Sequence, residues 1–246
     1  MRSVAVVPTY NEADNVEAIC RSIRKHSPAT GILVVDDNSP DGTAEIASRL
    51  ADELGDLRVL RRSGKHGLGA AYRAGFTAAI DDGADICIQI DADLSHDPAM
   101  LPALVSAVEH GADLALGSRY VPGGITENWP RERRMLSRWG NRYVAGVLGL
   151  AVNDATAGYR AYRTTALVEA MDYTTVQAEG YGFQVEMTHR LVRAGGRIVE
   201  IPITFRDRTA GESKMSQGIV SEAFVMVLRL WVKDLRGRRE RRHTGR

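Results

Sequence analysis

Asp91 and Asp93, separated by Ala92, follow the apolar run Ile86-Cys87-Ile88-Gln89-Ile90. Carboxylates two residues apart share one face of a continuing strand, or pinch together in a turn, and both geometries bring their oxygens to one cation. Hard oxygen donors suit Mg²⁺ or Mn²⁺, ions that keep several waters and bridge protein carboxylates to substrate phosphates. An ion so placed neutralises a departing diphosphate. An isolated Asp-x-Asp also caps helices and builds turns, so its surroundings must decide between these roles.

Two further sets of residues bear on that decision. Asp36-Asp37 closes the strand-like run Ile32 to Val35, and Pro8-Thr9-Tyr10-Asn11-Glu12 closes another. Glu12 and Asp37 carry acceptors suited to base or ribose donors, and Tyr10 a ring that packs on a base. Turn formation and helix capping at Asp14 and Thr43 are the plainer roles, above all for Asn38 to Gly42. The second set is cationic: Arg119, then Arg131, Arg133 and Arg134, then Arg206, Arg208 and Lys214. Arginine forks take phosphate oxygens two at a time, and lysine supplies a point charge. Gly211 and Ser213 give the segment from Phe205 to Lys214 the composition of a loop that closes over an anion. Arg131, Arg134 and Arg206 suit a solvated surface equally well.

The elements that must position these groups follow from periodicity. Strand-like runs at Val4 to Val7, Ile32 to Val35, Arg58 to Leu60, Ile86 to Ile90 and Leu114 to Leu116 alternate with helical spacing. The helices are predicted over Asp14 to Lys25, Thr43 to Leu54, Leu68 to Asp82 and Ala99 to Val108. Alternation of this kind predicts an α/β fold, a mostly parallel Rossmann-like sheet with helices on both faces. Ligands in such folds bind beyond the carboxyl ends of the strands, where Tyr10, Asp37, Asp91 and Arg119 would meet. Beyond about residue 120 come a loop from Pro122 to Arg134 and helices over Leu136 to Leu150 and Phe183 to Ala194. A strand over Arg197 to Phe205 and a helix over Val220 to Leu235 complete the pattern.

With 246 residues, 44% of them hydrophobic, the chain has enough apolar surface for one α/β domain with appendages. Its formal net charge of +1 excludes a wholly basic nucleic-acid binder. Cys20 and Cys87 lie far apart without zinc-ligand spacing, as buried free thiols do. The first residues lack the pattern of a signal peptide, and no apolar run reaches the roughly 18 to 20 residues of a membrane span. A cytoplasmic chain with at most peripheral membrane contact is the expectation. Phe224, Leu228, Trp231 and Leu235 share a helical face beside Arg229, Lys233 and Arg236, which suits lipid headgroups and also suits packing on the core.

Val7-Pro8-Thr9-Tyr10-Asn11-Glu12, Val34 to Thr43, Asp91-Ala92-Asp93-Leu94-Ser95-His96 and Gly117-Ser118-Arg119-Tyr120 together resemble the inverting family 2 glycosyltransferases. Within that family the likeness is nearest to the mannose synthases that act on dolichyl or polyprenyl phosphates. Lys65 to Gly69, Ala157-Gly158-Tyr159-Arg160, Gly180 to Glu186 and Arg208 to Lys214 extend the resemblance over nearly the whole chain. It implies a GT-A fold over residues 1–215, with a nucleotide-sugar half to about 120 and an acceptor half from 121. An amphipathic helix over 216–235 and a basic tail over 236–246 follow.

The resemblance also implies GDP-mannose as donor, a polyprenyl phosphate as acceptor, a divalent metal as cofactor and a membrane surface, with a separate membrane protein as a further partner. Pro8, Tyr10, Glu12, Val35, Asp37, Asp91 and Ala92 would line the nucleotide. Asp91, Asp93 and Ser95 would be at the metal; relatives often carry Gln at the Ser95 position, so a hydroxyl or a water would complete the shell. Asp93, Arg119, Arg133, Ser137, Arg208 and Lys214 would form the catalytic, phosphate-facing set. No general base stands out, and a phosphate monoester with a second pKa of about 6 needs none. Transfer from a UDP-sugar such as UDP-glucose, and non-catalytic nucleotide binding, are the alternatives. A dinucleotide oxidoreductase is disfavoured, because Tyr10-Asn11-Glu12 stands where a glycine-rich turn belongs.

Overall fold

Alternate side chains of β1 (Ser3–Thr9) enter two different cores, since successive Cβ atoms on a strand point to opposite faces. Val4 and Val6 pack with Tyr72, Phe76, Val144 and Phe183, whereas Ala5 and Val7 pack with Val16, Ile19, Leu50 and Leu101. A computed structural model describes residues 1–176, 178, 180–207 and 226–235. One face of its main sheet is covered by α1 (Val16–His26), α2 (Thr43–Leu54) and α4 (Leu101–Glu109). The other is covered by α3 (Leu68–Asp81), α5 (Arg131–Leu148) and α6 (Tyr181–Arg193). In α1, Val16, Ile19, Cys20 and Ile23 are buried at the spacing of one helical stripe. Gly75 lets α3 lie close on the sheet: a Cβ there would come within 2.3 Å of Val6 Cγ1 and 2.9 Å of Val35 Cγ2.

Beside β1 the sheet contains β2 (Gly31–Asp36), β3 (Leu57–Arg61), β4 (Ile86–Gln89), β5 (Leu114–Ser118), β7 (Arg160–Arg163) and β8 (Ile198–Pro202). Their spatial order is β3-β2-β1-β4-β7-β5-β8. All run parallel except β7, which enters antiparallel between β4 and β5. The start of β7 therefore lies at the carboxyl ends of its neighbours, and Arg160 pairs with both Gln89 and Leu116. The α/β, mostly parallel architecture expected from periodicity is present.

Three boundaries differ from the sequence expectation. The predicted strand from Arg197 to Phe205 breaks after Pro202, which has no N–H to extend a ladder. The chain then turns away at Ile203, whose N–H donates to Ser118 O at 3.1 Å. The continuation, β9 (Thr204–Arg206), pairs with β6 (Ile125–Glu127) as a separate two-stranded sheet, so the predicted loop from Pro122 to Arg134 contains a strand. The helix expected from Leu136 begins at Arg131, directly after Pro130, whose ring fixes φ at −53° while its ψ of 146° remains extended.

Near the C-terminus, residues 226–235 form a helix, here α7. Val227 and Leu230 face the core, while Leu228, Trp231 and Leu235 remain 40%, 42% and 41% exposed. Asp234 ties α7 to α6: its Oδ2 lies 3.0 Å from His189 Nε2 and accepts from Arg193 Nε at 2.9 Å. Phe224, Arg208, Lys214 and the tail over 236–246 lie outside the described residues. Among the described residues no helix is long and apolar enough to cross a membrane.

Candidate active site

The carboxyl ends of β1 and β2 build one wall. Thr9 Oγ donates to the buried Asp36 at 2.9 Å, and Asp36 also accepts from the Ser39 amide at 2.9 Å and hydroxyl at 2.6 Å. Asp36 thus shapes the turn, whereas Asp37 is set beside basic residues. Arg62 donates to Asp37 Oδ1 at 2.6 Å. Burial raises the Asp37 carboxyl above its ordinary value, and Arg62 and the His66 amide oppose that rise. Glu12 is tied locally, its Oε2 accepting from Asn15 Nδ2 at 2.8 Å and its amide donating to Thr43 Oγ1 at 3.0 Å. The ring of Tyr10 lies under Lys65 Nζ, 4.3 Å from its centroid. Pro8 and Val35 are register partners in β1 and β2. Asn11 and Asn38 turn these strand ends with φ of 58° and 60°, the left-handed region that asparagine tolerates best among non-glycine residues.

Asp91 and Asp93 follow β4 at the centre of this edge. Tyr72, on α3, donates its phenol proton to Asp91 Oδ1 at 2.9 Å. Burial, followed by the charge of Asp91, pushes the Tyr72 phenol well above its usual value, so it stays a donor. Asp93 Oδ1 accepts from the Ser95 hydroxyl at 2.6 Å and the Ser95 amide at 3.1 Å, while Leu94 between them takes a φ of 60°. That left-handed leucine costs about 1–2 kcal/mol and folds the loop back on Asp93. Ser95 holds Asp93 in place, spending its hydroxyl proton on the carboxylate. His96 Nδ1 stands 3.9 Å from Asp91 Oδ2.

Opposite lies Gly158, just before β7. A Cβ there would sit 3.3 Å from His96 Cε1 and 3.4 Å from Asp91 Oδ2, so the glycine keeps the space beside that carboxylate open. Two oxygen donors, one buried and fixed and one 29% exposed, beside a wall without a side chain fit a hard divalent cation that keeps most of its waters. Ala92, between them, is buried.

The third wall is cationic and aromatic. Arg119 closes its fork on Asp154, with Nε to Oδ2 at 2.7 Å and Nη2 to Oδ1 at 2.6 Å, and Nη2 also donates to Thr156 Oγ1 at 3.0 Å. Both partners are buried, so Arg119 first of all secures the turn after β5 to the loop before β7. Arg133, on α5, donates from Nη1 to both oxygens of Asp207, at 3.1 and 2.9 Å, and lies 4.3 Å over the ring of Trp129. Ser137 accepts from the Tyr120 phenol at 2.7 Å. The loop that follows Asp93 is stitched to β9, with Arg206 N donating to Ser95 O at 3.2 Å and His96 bridging to Phe205. β9 thus lies against Ser95 and His96; Arg208 and Lys214 are outside the described residues.

Residues 4–170 match the family described as glycosyl transferase family 2. The chain belongs to that family. It is 50% identical to the undecaprenyl-phosphate mannosyltransferase of Micrococcus luteus, over 93% of each chain. It is 46% identical to the polyprenol monophosphomannose synthase of Mycolicibacterium smegmatis, over 98% of this chain and 89% of that one. In fold it is similar to glucosyl-3-phosphoglycerate synthase from Mycobacterium tuberculosis, solved in complex with Mn²⁺ and UDP-glucose. The TM-score is 0.65 at 22% identity, covering 92% of this chain and 78% of that one.

In this family 2 transferase the sheet with one antiparallel insertion is the GT-A arrangement, and several of its contributors carried no signal in the sequence. Tyr72 reads as an ordinary core aromatic of α3, yet it holds Asp91. Asp154 reads as a turn residue, yet it accepts the fork of Arg119. Arg160 is completely buried and, among the described residues, donates to neutral oxygens: Ala155 O at 2.7 Å, Ala157 O at 2.6 Å, Gln184 O at 3.0 Å, Thr188 Oγ1 at 2.9 Å and the Tyr162 phenol at 3.5 Å. It fixes the loop that carries Gly158 to α6. An arginine inside a short strand was the one available hint, because such a side chain is buried only when its donors are met.

Proposed function

We propose that this chain transfers mannose from GDP-mannose to a polyprenyl phosphate, with inversion at the anomeric carbon, giving polyprenyl phosphate mannose and GDP. The observation that carries this reading is the juxtaposition of the Asp91–Asp93 turn with a wall of arginines on the same sheet edge. Identity of 46% and 50% over nearly the full chain to two enzymes named for mannosyl transfer to polyprenyl phosphates supports the substrate pair.

Pro8, Tyr10, Glu12, Val35, Asp37 and Ala92 bind the nucleotide side, with Asp37 and Arg62 as the charged pair nearest the β2 end. Asp91 and Asp93 would hold a Mg²⁺ or Mn²⁺ ion, with Ser95 keeping Asp93 oriented, and the Ser95 hydroxyl or a water would supply a further oxygen. When bound, that ion supplies charge neutralisation of the departing diphosphate. Arg119, Arg133, Ser137, Arg208 and Lys214 orient the acceptor phosphate. One of its oxygens forms a bond to the anomeric carbon as the bond to the GDP oxygen breaks on the opposite face, so a single displacement inverts the configuration. The acceptor arrives ionised, and catalysis rests on positioning and charge complementarity rather than on a general base.

A lipid acceptor requires contact with a membrane surface. The outward face of α7, with Leu228, Trp231 and Leu235 beside Arg229 and Lys233, supplies it at the cytoplasmic leaflet. The test is the product itself. Purified protein given GDP-mannose and undecaprenyl phosphate should yield a mannosyl lipid whose one-bond coupling between C1 and H1 reports inversion. A retained configuration, or free mannose alone, contradicts the proposal.

A further inference from the structure

Trp129 is held between Asn128, with a φ of 61°, and Pro130 at the start of α5, a pair of constraints that turns the indole inward until only 7% of the residue is exposed. Its Nε1–H is wholly covered and has no hydrogen-bond partner among the described residues, and the same is true of the neighbouring Nε–H of Arg133. A buried donor left unmet costs about 1–3 kcal/mol, so two beside one another mark an unusual place. Around them stand Arg133, 4.3 Å over the indole ring, Arg119, 5.6 Å over it, and Phe205, packed T-shaped at 5.4 Å. An aromatic face is a weak acceptor at best. Both guanidinium groups already have a carboxylate, Asp154 or Asp207, but two neighbouring N–H donors, of Trp129 and Arg133, have no acceptor among the described residues, and an oxyanion is the acceptor that serves both.

We infer that the indole N–H of Trp129 is a further donor to the phosphate oxyanion bound at this edge; this rests on the phosphate-transfer reading above. The Arg119–Asp154 pair is buried and stays closed. The Arg133–Asp207 pair is different, with side chains 24% and 31% exposed, so that solvent and a ligand reach it. Its carboxylate occupies Arg133 as an internal anion, and an incoming phosphate replaces it, uncovering the indole N–H. The phosphate belongs to the lipid acceptor or to the donor diphosphate, and the experiment separates these.

Trp129, Trp139 and Trp231 are the chain's three tryptophans, so ¹⁵N-indole labelling gives three resonances, assigned by single substitution. Farnesyl phosphate should move the Trp129 signal downfield while farnesol leaves it in place; GDP moving it instead would assign the oxyanion to the donor. Trp129→Phe keeps the ring and removes the N–H. It should raise the KM for the matching substrate about tenfold or more, the loss expected for a hydrogen bond to a charged acceptor, and leave the other substrate's KM unchanged. A Trp129 resonance indifferent to every phosphate tested, or wild-type KM values in Trp129→Phe, overturns the inference. If the resonance moves with farnesyl phosphate but the wild type transfers no mannose, the reading of the reaction fails and the phosphate contact stands.

Discussion

The Arg119 guanidinium grips the Asp154 carboxylate at two points, 2.7 and 2.6 Å, and both side chains are buried. The carboxylate also accepts the Arg119 amide at 3.0 Å, and the Asp154 amide in turn donates to Glu200 at 3.0 Å. Removing one partner leaves the other charge buried and uncompensated. Asp154→Ala should therefore lower stability by about 3–5 kcal/mol in urea denaturation. Arg21→Ala, which breaks an exposed pair with Glu53, is the control and should leave the midpoint in place. Equal midpoints for both variants contradict the account of Arg119 as a structural tie.

Close packing of α3 on the sheet makes Gly75 intolerant of even one methyl group. The clash would fall on Val6 and Val35, both inside the sheet, not on the end of a flexible side chain. Gly75→Ala should cost about 1–3 kcal/mol despite alanine's higher helix propensity. A stabilised variant, measured by thermal unfolding, would mean that the helix stands further from β1 and β2.

The buried thiols set an alkaline limit. Burial pushes Cys20, with Arg24 opposing, and Cys87, with Thr164 opposing, from the ordinary 9.0 up to about 12. From pH 9 upward the unfolded chain releases these protons while the folded chain keeps them, so the native state binds more protons and stability falls with rising pH. Below pH 9 the contribution is complete; through pH 12 it is lost. Denaturation midpoints should fall over that window, and a Cys20→Ala, Cys87→Ala double variant should fall less steeply. Identical slopes would refute this.

Membrane contact through α7 predicts that Leu228→Ser with Trp231→Ser abolishes flotation with anionic vesicles while the protein still unfolds cooperatively, since Leu228 and Trp231 are 40% and 42% exposed. Undiminished flotation would remove α7 from the docking surface.

The sheet and its covering helices were legible because buried parallel strands read as apolar runs and their helices as stripes, as in Ile86 to Ile90 and Val16 to Ile23. Asp37, Asp91 and Arg119 were legible by position, since each follows a strand pointing to one edge. β7 escaped periodicity because its four residues, Arg160 to Arg163, include two arginines, one entirely buried by bonds to carbonyls that sequence spacing cannot reveal. Likewise Pro202 ends β8, yet nothing local shows that Thr204 to Arg206 continues beside Ile125 to Glu127. Tyr72 and Trp129 were hidden for another reason: aromatic residues in apolar surroundings read as core until the partner of the polar atom is known.

The most direct measurement is transfer of label from GDP-[¹⁴C]mannose and, in parallel, from UDP-[¹⁴C]glucose into polyprenyl phosphate, each with and without EDTA. Mannose alone should enter the lipid, the signal should vanish on chelation and return with Mg²⁺ or Mn²⁺, and Asp93→Asn should lose on the order of 10²-fold or more in rate. Label entering lipid from UDP-glucose, or undiminished mannose transfer in EDTA, would contradict it.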